Sequence, residues 1–281
     1  MKINDIIQNV KNHSTGIYHD KKIEDATTRD QILFGKEYID QECTGIISTC
    51  FASIDVIKET IAKGYNFIIC HEAIFWNHGD HTEWLTDNKV YLEKIQLLKE
   101  HHIVVWRNHD YIHSKIAYKD TYVDGIFYGF FKELGWEQYL SDELVRCVVF
   151  DEPKTVKEVA DTIINKCHLN GIRLLGSKET MIKKMFIPNH MFGMNDNSII
   201  TDIEMHDVDA IMTMEMVDYS VNEYIRDSAM TNRKRTAFCV GHFNLEEPGM
   251  KFFKDWLIDL LHTDEFNIEF IQSGDVFTFY H

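Results

Sequence analysis

The stretch "NFIICHEAIFWNHGDH" (residues 66–81) decides the fold class, because it joins an apolar strand to a run of polar side chains. Phe67 to Cys70 form a short continuous apolar segment, which is typical of a buried strand. His71 and Glu72 follow directly, so an imidazole and a carboxylate stand at the end of that strand. Ligands bind at the carboxyl ends of strands in parallel α/β sheets. The stretch therefore indicates a functional edge as well as a strand.

Segments on both sides of this stretch alternate between strand and helix patterns. The strand patterns are short and apolar, at residues 44–49 and 103–106. The helix patterns lie at 53–66, which begins with a serine cap and contains the stop residue Gly64, and at 86–102. This order of strand, helix, strand, helix and strand is typical of a parallel sheet covered by helices. The sequence therefore predicts an α/β fold class.

The middle of the chain has its own strand and helix patterns, which predict a second α/β lobe. The first pattern returns in a strand at 236–241 and a helix at 250–263. The tail is predicted to form a hairpin that turns at Ser273-Gly274-Asp275. We therefore predict two lobes with mixed or parallel sheets flanked by helices: one of residues 1–125 and 236–281, and one of residues 126–235.

Composition excludes several classes of partner. The net charge is −16, from 45 acidic and 29 basic residues, which argues against nucleic acid and anionic membranes as partners. No apolar run approaches the ~18 residues that a membrane span needs. The six cysteines show neither a CxxC pair nor regular spacing. This pattern predicts reduced, buried thiols and a cytoplasmic location.

Two further apolar strands, at 103–106 and 236–240, end in the same way as the strand at 67–70. Imidazole and carboxylate side chains follow them: His109, Asp110, His113, His242 and Glu246. If the three strands are neighbours in one parallel sheet, these side chains converge with His71 and Glu72. A mixture of nitrogen and oxygen donors suits Zn, Mn, Fe, Ni or Co. The strand ends therefore predict a metal site.

Four segments also carry a resemblance to a known family. They are "RDQILFGK", "FASIDVIKETIAKGYNFIICHEAIFW", "VVWRNHDYIH", and "DAIMTMEMVDYSV" followed by "AFCVGHFNLEEPGM". The last contains a His-x3-Glu followed by Pro-Gly, which is the most specific of the matches. The chain resembles the NIF-three-like (NGG-one-interacting factor three) family, whose members are described as GTP cyclohydrolase 1 type 2 homologues.

The resemblance implies a site with two metal ions and five protein ligands. His71, His242 and Glu246 match family ligands, whereas Glu72 stands where the family has a second His. His113 stands where the family has Asp, and Asp110 remains an alternative ligand in the same segment. The two changes compensate, because three imidazoles and two carboxylates are kept. We therefore predict that metal binding survives with altered geometry or metal preference.

The resemblance also implies a two-lobed fold, a homohexamer and two divalent ions (Zn, Mn, Fe or Ni). A pair of cations can activate a shared water, so the predicted function is hydrolysis of a small nucleotide-like or phosphorylated metabolite. Glu246 is the expected bridging ligand, and Glu215 or His109 is the expected general acid or base. The alternative is a metal-binding or regulatory interaction protein without turnover.

Overall fold

A computed structural model describes residues 1–188, 190–191, 197–215 and 217–280. The chain divides into two compact units: a first unit of Met1–Gly129 and Glu247–Ser273, and a second unit of Phe130–Glu246 and Gly274–His281. The predicted lobes differ from these units at residues 236–246 and 274–280, which were expected in the first lobe, and at residues 126–129, which were expected in the second. Positions 189, 192–196, 216 and 281 of the predicted lobes lie outside the described residues.

The helices carry the patterns expected of amphipathic segments with polar caps. Ser53 accepts a hydrogen bond from the Val56 amide at one helix start, and Thr155 and Glu158 form a capping box at another. In chain order the helices are α1 Ile3–Asn12, α2 Ile54–Ala62, α3 Lys89–Glu100, α4 Asp110–His113, α5 Gly125–Leu134, α6 Val156–Cys167, α7 Asn197–Met205, α8 Val221–Ala229 and α9 His242–Leu261. Within the described ranges, no helix is both long and apolar enough to span a bilayer.

The strands are short, and five of the ten described in the two large sheets are buried at every position. In chain order they are β1 Ile17–Tyr18, β2 Lys21–Lys22, β3 Ile32–Phe34, β4 Ile46–Thr49, β5 Phe67–Cys70, β6 Val104–Arg107, β7 Ile116–Tyr118, β8 Thr121–Val123, β9 Cys147–Thr155, β10 Arg173–Gly176, β11 Met181–Phe186, β12 Ala210–Thr213, β13 Thr236–Cys239 and β14 Ile268–Phe270. The pairs β1–β2 and β7–β8 form small antiparallel sheets of their own.

The first unit contains a five-stranded sheet in the order β14-β4-β5-β6-β3. All neighbours are parallel except β3, which runs antiparallel to β6. Alternate residues of β5 enter two different cores: Phe67 and Ile69 pack on one face, and Ile68 and Cys70 on the other. Both faces of the strand are therefore buried, which explains why its sequence is continuously apolar instead of alternating.

The second unit contains a five-stranded sheet in the order β10-β13-β12-β11-β9. Its three central strands are parallel, and β9 and β10 run antiparallel at the edges. Strand β13 pairs with β12 in this sheet, so the condition that it neighbours β5 and β6 in one sheet is not met. A buried strand such as β13 has the same apolar pattern in either sheet, so its sequence did not distinguish them.

Two further expectations are corrected at the end of the chain. The helix predicted over 250–263 begins at His242, because α9 continues through Pro248. A proline in a helix interior removes one backbone donor and clashes with the carbonyl four residues earlier, so Pro248 is a costly residue that α9 nevertheless contains. The predicted tail hairpin is also wrong: β14 pairs in parallel with β4, and residues 271–280 contain no strand.

Candidate metal-binding site

Three imidazoles converge at one edge of the first unit's sheet. Strands β5 and β6 are parallel neighbours, so His71 after β5 lies beside His109 and His113 after β6. The ring centroids of His71 and His109 are 4.6 Å apart, and each lies 5.0 Å from the ring centroid of His113. One ligand nitrogen from each ring lies within 4.8 Å of the others. This spacing allows all three nitrogens to ligate one cation.

The Nδ1 atom of each of these rings is hydrogen-bonded to a protein oxygen. His71 donates to the backbone carbonyl of Asn108 at 3.0 Å, and His109 donates to the Asp110 carboxylate at 3.0 Å. His113 donates to the Asp124 carboxylate, also at 3.0 Å. Metal-ligating histidines commonly have this arrangement, because the outer bond fixes the tautomer and the ring orientation. Nε2 is then the nitrogen of each ring that would ligate a metal.

Asp30 holds the segment that carries two of the imidazoles. Its buried carboxylate accepts from the backbone amides of His109, Asp110 and Tyr111, the last two at 2.8 and 3.2 Å. These amides lie at the start of the short helix α4, where backbone donors lack helical partners. Thr28 donates to the same carboxylate at 2.8 Å. Burial raises the pKa of Asp30 to about 6.

The carboxylate of Asp110, the alternative ligand, accepts hydrogen bonds from neighbouring protein groups. It accepts from the Thr28 hydroxyl at 2.9 Å and from the Arg29 amide and guanidinium at 3.0 and 3.1 Å. Burial works to raise the pKa of Asp110, but these bonds and the one from His109 hold it well below its usual range. Asp110 is therefore a charged residue that orients His109.

The imidazole of His109 is held neutral. Burial is the largest cause, and the neighbouring His71 and His113 rings add to it, so the pKa of His109 is well below its usual value. A neutral imidazole has the lone pair that metal ligation requires. The chemistry of His109, as well as its distance from the other two rings, therefore fits ligation of a divalent cation.

Glu72, which was expected to replace a family histidine, forms a buried ion pair. Its Oε2 atom accepts from Arg107 Nη2 at 3.2 Å. Arg107 also donates to the backbone carbonyls of His71 at 3.0 Å and His78 at 2.9 Å. The guanidinium thus fixes the loop that follows β5 and one oxygen of Glu72, so Oε1 is the oxygen through which Glu72 would ligate.

The second unit has a separate group of possible ligands. Glu215 follows β12 and His242 follows β13, and these strands are parallel neighbours. His242 Nδ1 lies 2.5 Å from Glu215 Oε1, and His190 Nδ1 lies 3.3 Å from the same atom. Each of the three offers a ligand atom within 4.8 Å of the others. On α9, His242 Nε2 lies 3.2 Å from Glu246 Oε1, one helical turn away.

The carboxylate of Glu215 stays ionised between these rings. Burial works to raise its pKa, but the hydrogen bonds and charges of His190 and His242 bring the pKa to about 2. A carboxylate that bridges two imidazoles can orient them or share a cation with them. The second group therefore offers both nitrogen and oxygen donors.

The sequence identified most of these side chains but not all of their supports. His71, Glu72, His109, Asp110 and His113 lie together in the first unit, and Glu215, His242 and Glu246 lie in the second. Four residues were missed: Asp30, Arg107, Asp124 and His190. Asp30 lies within the quoted "RDQILFGK" segment and Arg107 within "VVWRNHDYIH", so a signal existed for both. Asp124 and His190 carry no motif of their own.

Comparisons with known proteins identify the family. The Duf34/NIF3 (NGG1p interacting factor 3) profile matches residues 31–275. No curated protein matches the chain in sequence. Among solved structures, the Staphylococcus aureus hypothetical protein SA1388 is 18% identical, with a TM-score of 0.68 and coverage of 100% of this chain and 99% of that one.

Two other solved structures share the fold at low identity. A Bacillus cereus protein related to NIF3 is 12% identical, with a TM-score of 0.69 and coverage of 100% and 99% of the two chains. Reduced HcgD from Methanocaldococcus jannaschii is 18% identical, with a TM-score of 0.64 and coverage of 97% of each chain. Because the family profile covers most of the sequence, this chain belongs to the Duf34/NIF3 family.

Proposed function

We propose that this protein is a divalent-metal-dependent hydrolase that acts on a small nucleotide-like or phosphorylated metabolite. One observation carries the proposal: three neighbouring imidazoles each have Nδ1 bonded to a protein oxygen, and their ligand nitrogens lie within 4.8 Å of one another. Three imidazoles with an open fourth position are a ligand set of catalytic zinc sites.

In this proposal, His71, His109 and His113 bind the cation through Nε2. Asp110 and Asp124 hold the His109 and His113 rings in the ligating orientation, and Asp30 fixes the backbone that carries both. A bound divalent cation supplies Lewis-acid chemistry, because it acidifies water toward a pKa of ~7 and polarises the bond that the water attacks. His109 is then a ligand rather than the general acid or base expected from the sequence.

We propose that the protein binds two divalent ions, and that residues of the second unit bind the second ion. His242 and Glu246 are one turn apart on α9, and Glu215 joins His242 to His190. Zn, Mn, Fe and Ni all accept this mixture of donors. The cytoplasmic location and the homohexamer are likewise proposals, which rest on the cysteine pattern and on the family resemblance.

A second candidate function is metal binding without turnover. The ion pair between Glu72 and Arg107 favours it, because one carboxylate oxygen is already committed to a buried guanidinium. A metal site with fewer carboxylate donors has less capacity to bridge two cations. In that case the protein would hold or transfer a metal ion rather than activate water.

Reconstitution with metal tests the two candidates. Metal-free protein would be loaded separately with Zn, Mn, Fe and Ni and assayed against phosphomonoesters, phosphodiesters and cyclic amides. We expect turnover with at least one metal. His109→Ala should lose both the bound metal and the turnover. His101→Ala is the matched control, because His101 is exposed at the end of α3. Stoichiometric metal with no turnover of any substrate would favour the second candidate.

A further inference from the structure

A cavity of about 290 Å³ lies within the second unit, between the end of β13, the start of β10 and the tail of the chain. Its walls combine one cation with aromatic rings and backbone. The lining residues that matter most are Arg173, Cys239, Gly241, Phe277 and Phe279. The volume is at the small end for ligand pockets, so it suits a ligand of modest size.

The lining has the chemistry of a site for an aromatic anion. Arg173 is the one charged residue among those described around the cavity. Guanidinium groups bind phosphate by paired hydrogen bonds, and aromatic rings stack on flat bases. Phe279 packs so closely on Gly171 that an added Cβ would lie 2.9 Å from its ring. Phe277 is 59% exposed, so its ring is accessible to a ligand.

The cavity wall adjoins the second unit's group of possible metal ligands. Gly241 lines the cavity, and the next residue, His242, begins the 20-residue helix α9. The amino end of a helix favours negative charge. The Cys239 thiol, also in the wall, donates to the backbone carbonyl of Met214 at 3.7 Å, and Glu215 follows directly. The cavity wall therefore continues directly into His242 and is hydrogen-bonded to the residue before Glu215.

The tail that forms one wall is fixed to the rest of the second unit. Asp275 accepts from the Asn170 amide at 2.9 Å and from the Asn244 side chain at 3.1 Å. Asn170 also donates to the Phe277 carbonyl at 2.9 Å. Because Asn244 lies on α9 two residues after His242, the tail is held to the same helix that carries a proposed metal ligand.

We propose that this cavity binds a mononucleotide: its base stacks against Phe277 and Phe279, and its phosphate is bound by Arg173. The proposal rests on the proposed function, for which it names the substrate class. The interactions involve side chains of the second unit alone and need no metal ion. Binding is therefore measurable in metal-free protein, which separates failure of this site from failure of hydrolysis.

Calorimetric titration of metal-free protein with AMP is the test, with adenosine as the neutral comparison. We expect AMP to bind at least tenfold more tightly than adenosine, because the charged hydrogen bonds to Arg173 require the phosphate. Arg173→Gln should weaken AMP binding by about tenfold to a hundredfold and leave adenosine unchanged. Phe277→Ala should weaken both ligands by about fivefold or more.

Arg233→Gln is the matched control, since Arg233 is an exposed arginine of the same unit that pairs with Asp207. It should bind AMP as the unchanged protein does. Equal affinity for AMP and adenosine in the unchanged protein would overturn the role of Arg173 without any variant. Undetectable AMP binding at millimolar concentration, or unaltered binding in Arg173→Gln, would overturn the site.

Discussion

Replacing Arg107 with methionine should destabilise the first unit more than the loss of a surface arginine would. The Arg107 side chain is 1% exposed and that of its partner Glu72 is 11% exposed. Arg107 pairs with Glu72 at 3.2 Å and donates to the carbonyls of His71 and His78. Arg107→Met therefore leaves the buried Glu72 carboxylate without its cation and removes two hydrogen bonds from the side chain to backbone carbonyls.

The expected cost follows from these contacts. Removing one partner of a buried ion pair costs about 3–5 kcal/mol, because the other charge stays buried. In Glu72→Gln together with Arg107→Met the Glu72 charge is gone, although Asp80 Oδ2, 3.5 Å from Arg107 Nη1, still loses its cation, so the cost should fall to about 1–3 kcal/mol from the unsatisfied polar groups. Because Glu72→Gln alone also costs stability, the double-mutant cycle should show coupling of at least about 2 kcal/mol between Glu72 and Arg107.

Urea unfolding of metal-free protein, followed by circular dichroism, provides the free energies. Amide hydrogen exchange would assign the destabilisation to the first unit. Arg233→Met is the control, because the Arg233–Asp207 pair is exposed and should contribute about 0–1 kcal/mol. Additive effects of Arg107→Met and Glu72→Gln would show that the two side chains do not stabilise each other, since independent residues show coupling below about 0.5 kcal/mol.

Three other predictions concern a ligand support, a buried lysine and a helix contact. Asp124→Asn weakens the bond that orients His113 and should lower metal affinity by about 10- to 100-fold, measured by competition with a chelator. Burial lowers the pKa of Lys94 to about 8, below its value of ~10.5 in the unfolded chain. As the pH rises, Lys94 therefore loses its proton in the folded chain before it does so in the unfolded chain. Stability should therefore rise by up to about 3 kcal/mol between pH 8 and 10.5 relative to Lys94→Met, measured by urea unfolding at each pH. An added Cβ at Gly249 would lie 2.5 Å from the Ile126 Cα, so Gly249→Ala should cost about 1–3 kcal/mol in the same unfolding assay.

Each of these predictions has an outcome that contradicts it. Unchanged metal affinity in Asp124→Asn would show that this carboxylate does not support the ligand. A parallel pH dependence of stability in the unchanged protein and Lys94→Met would show that Lys94 keeps an ordinary pKa. A neutral Gly249→Ala would show that the two segments separate at little cost.

The sequence predicted local features better than pairing between distant segments. Strand β5 has the predicted bounds, because its continuous apolar run fits a strand buried on both faces. The rule that polar groups gather at the carboxyl ends of parallel strands holds in each unit: for β5 with β6, and for β12 with β13.

The sequence could not show which sheet β13 joins, since every buried strand has a similar apolar pattern. It also placed the start of α9 too late, because Pro248 is an ordinary signal of a helix start. Asp124 could not be recognised as a support for His113, because that contact depends on the tertiary fold. Arg107 was visible at the end of β6, but only the structure pairs it with Glu72.

Anomalous diffraction from crystals of the zinc-loaded protein would show whether the three imidazoles bind the metal. We expect a zinc peak about 2.0–2.1 Å from the Nε2 atoms of His71, His109 and His113, with each Nδ1 still hydrogen-bonded to its protein oxygen. A zinc-loaded crystal without a peak among these three rings, or with zinc bound through Nδ1, would contradict this expectation.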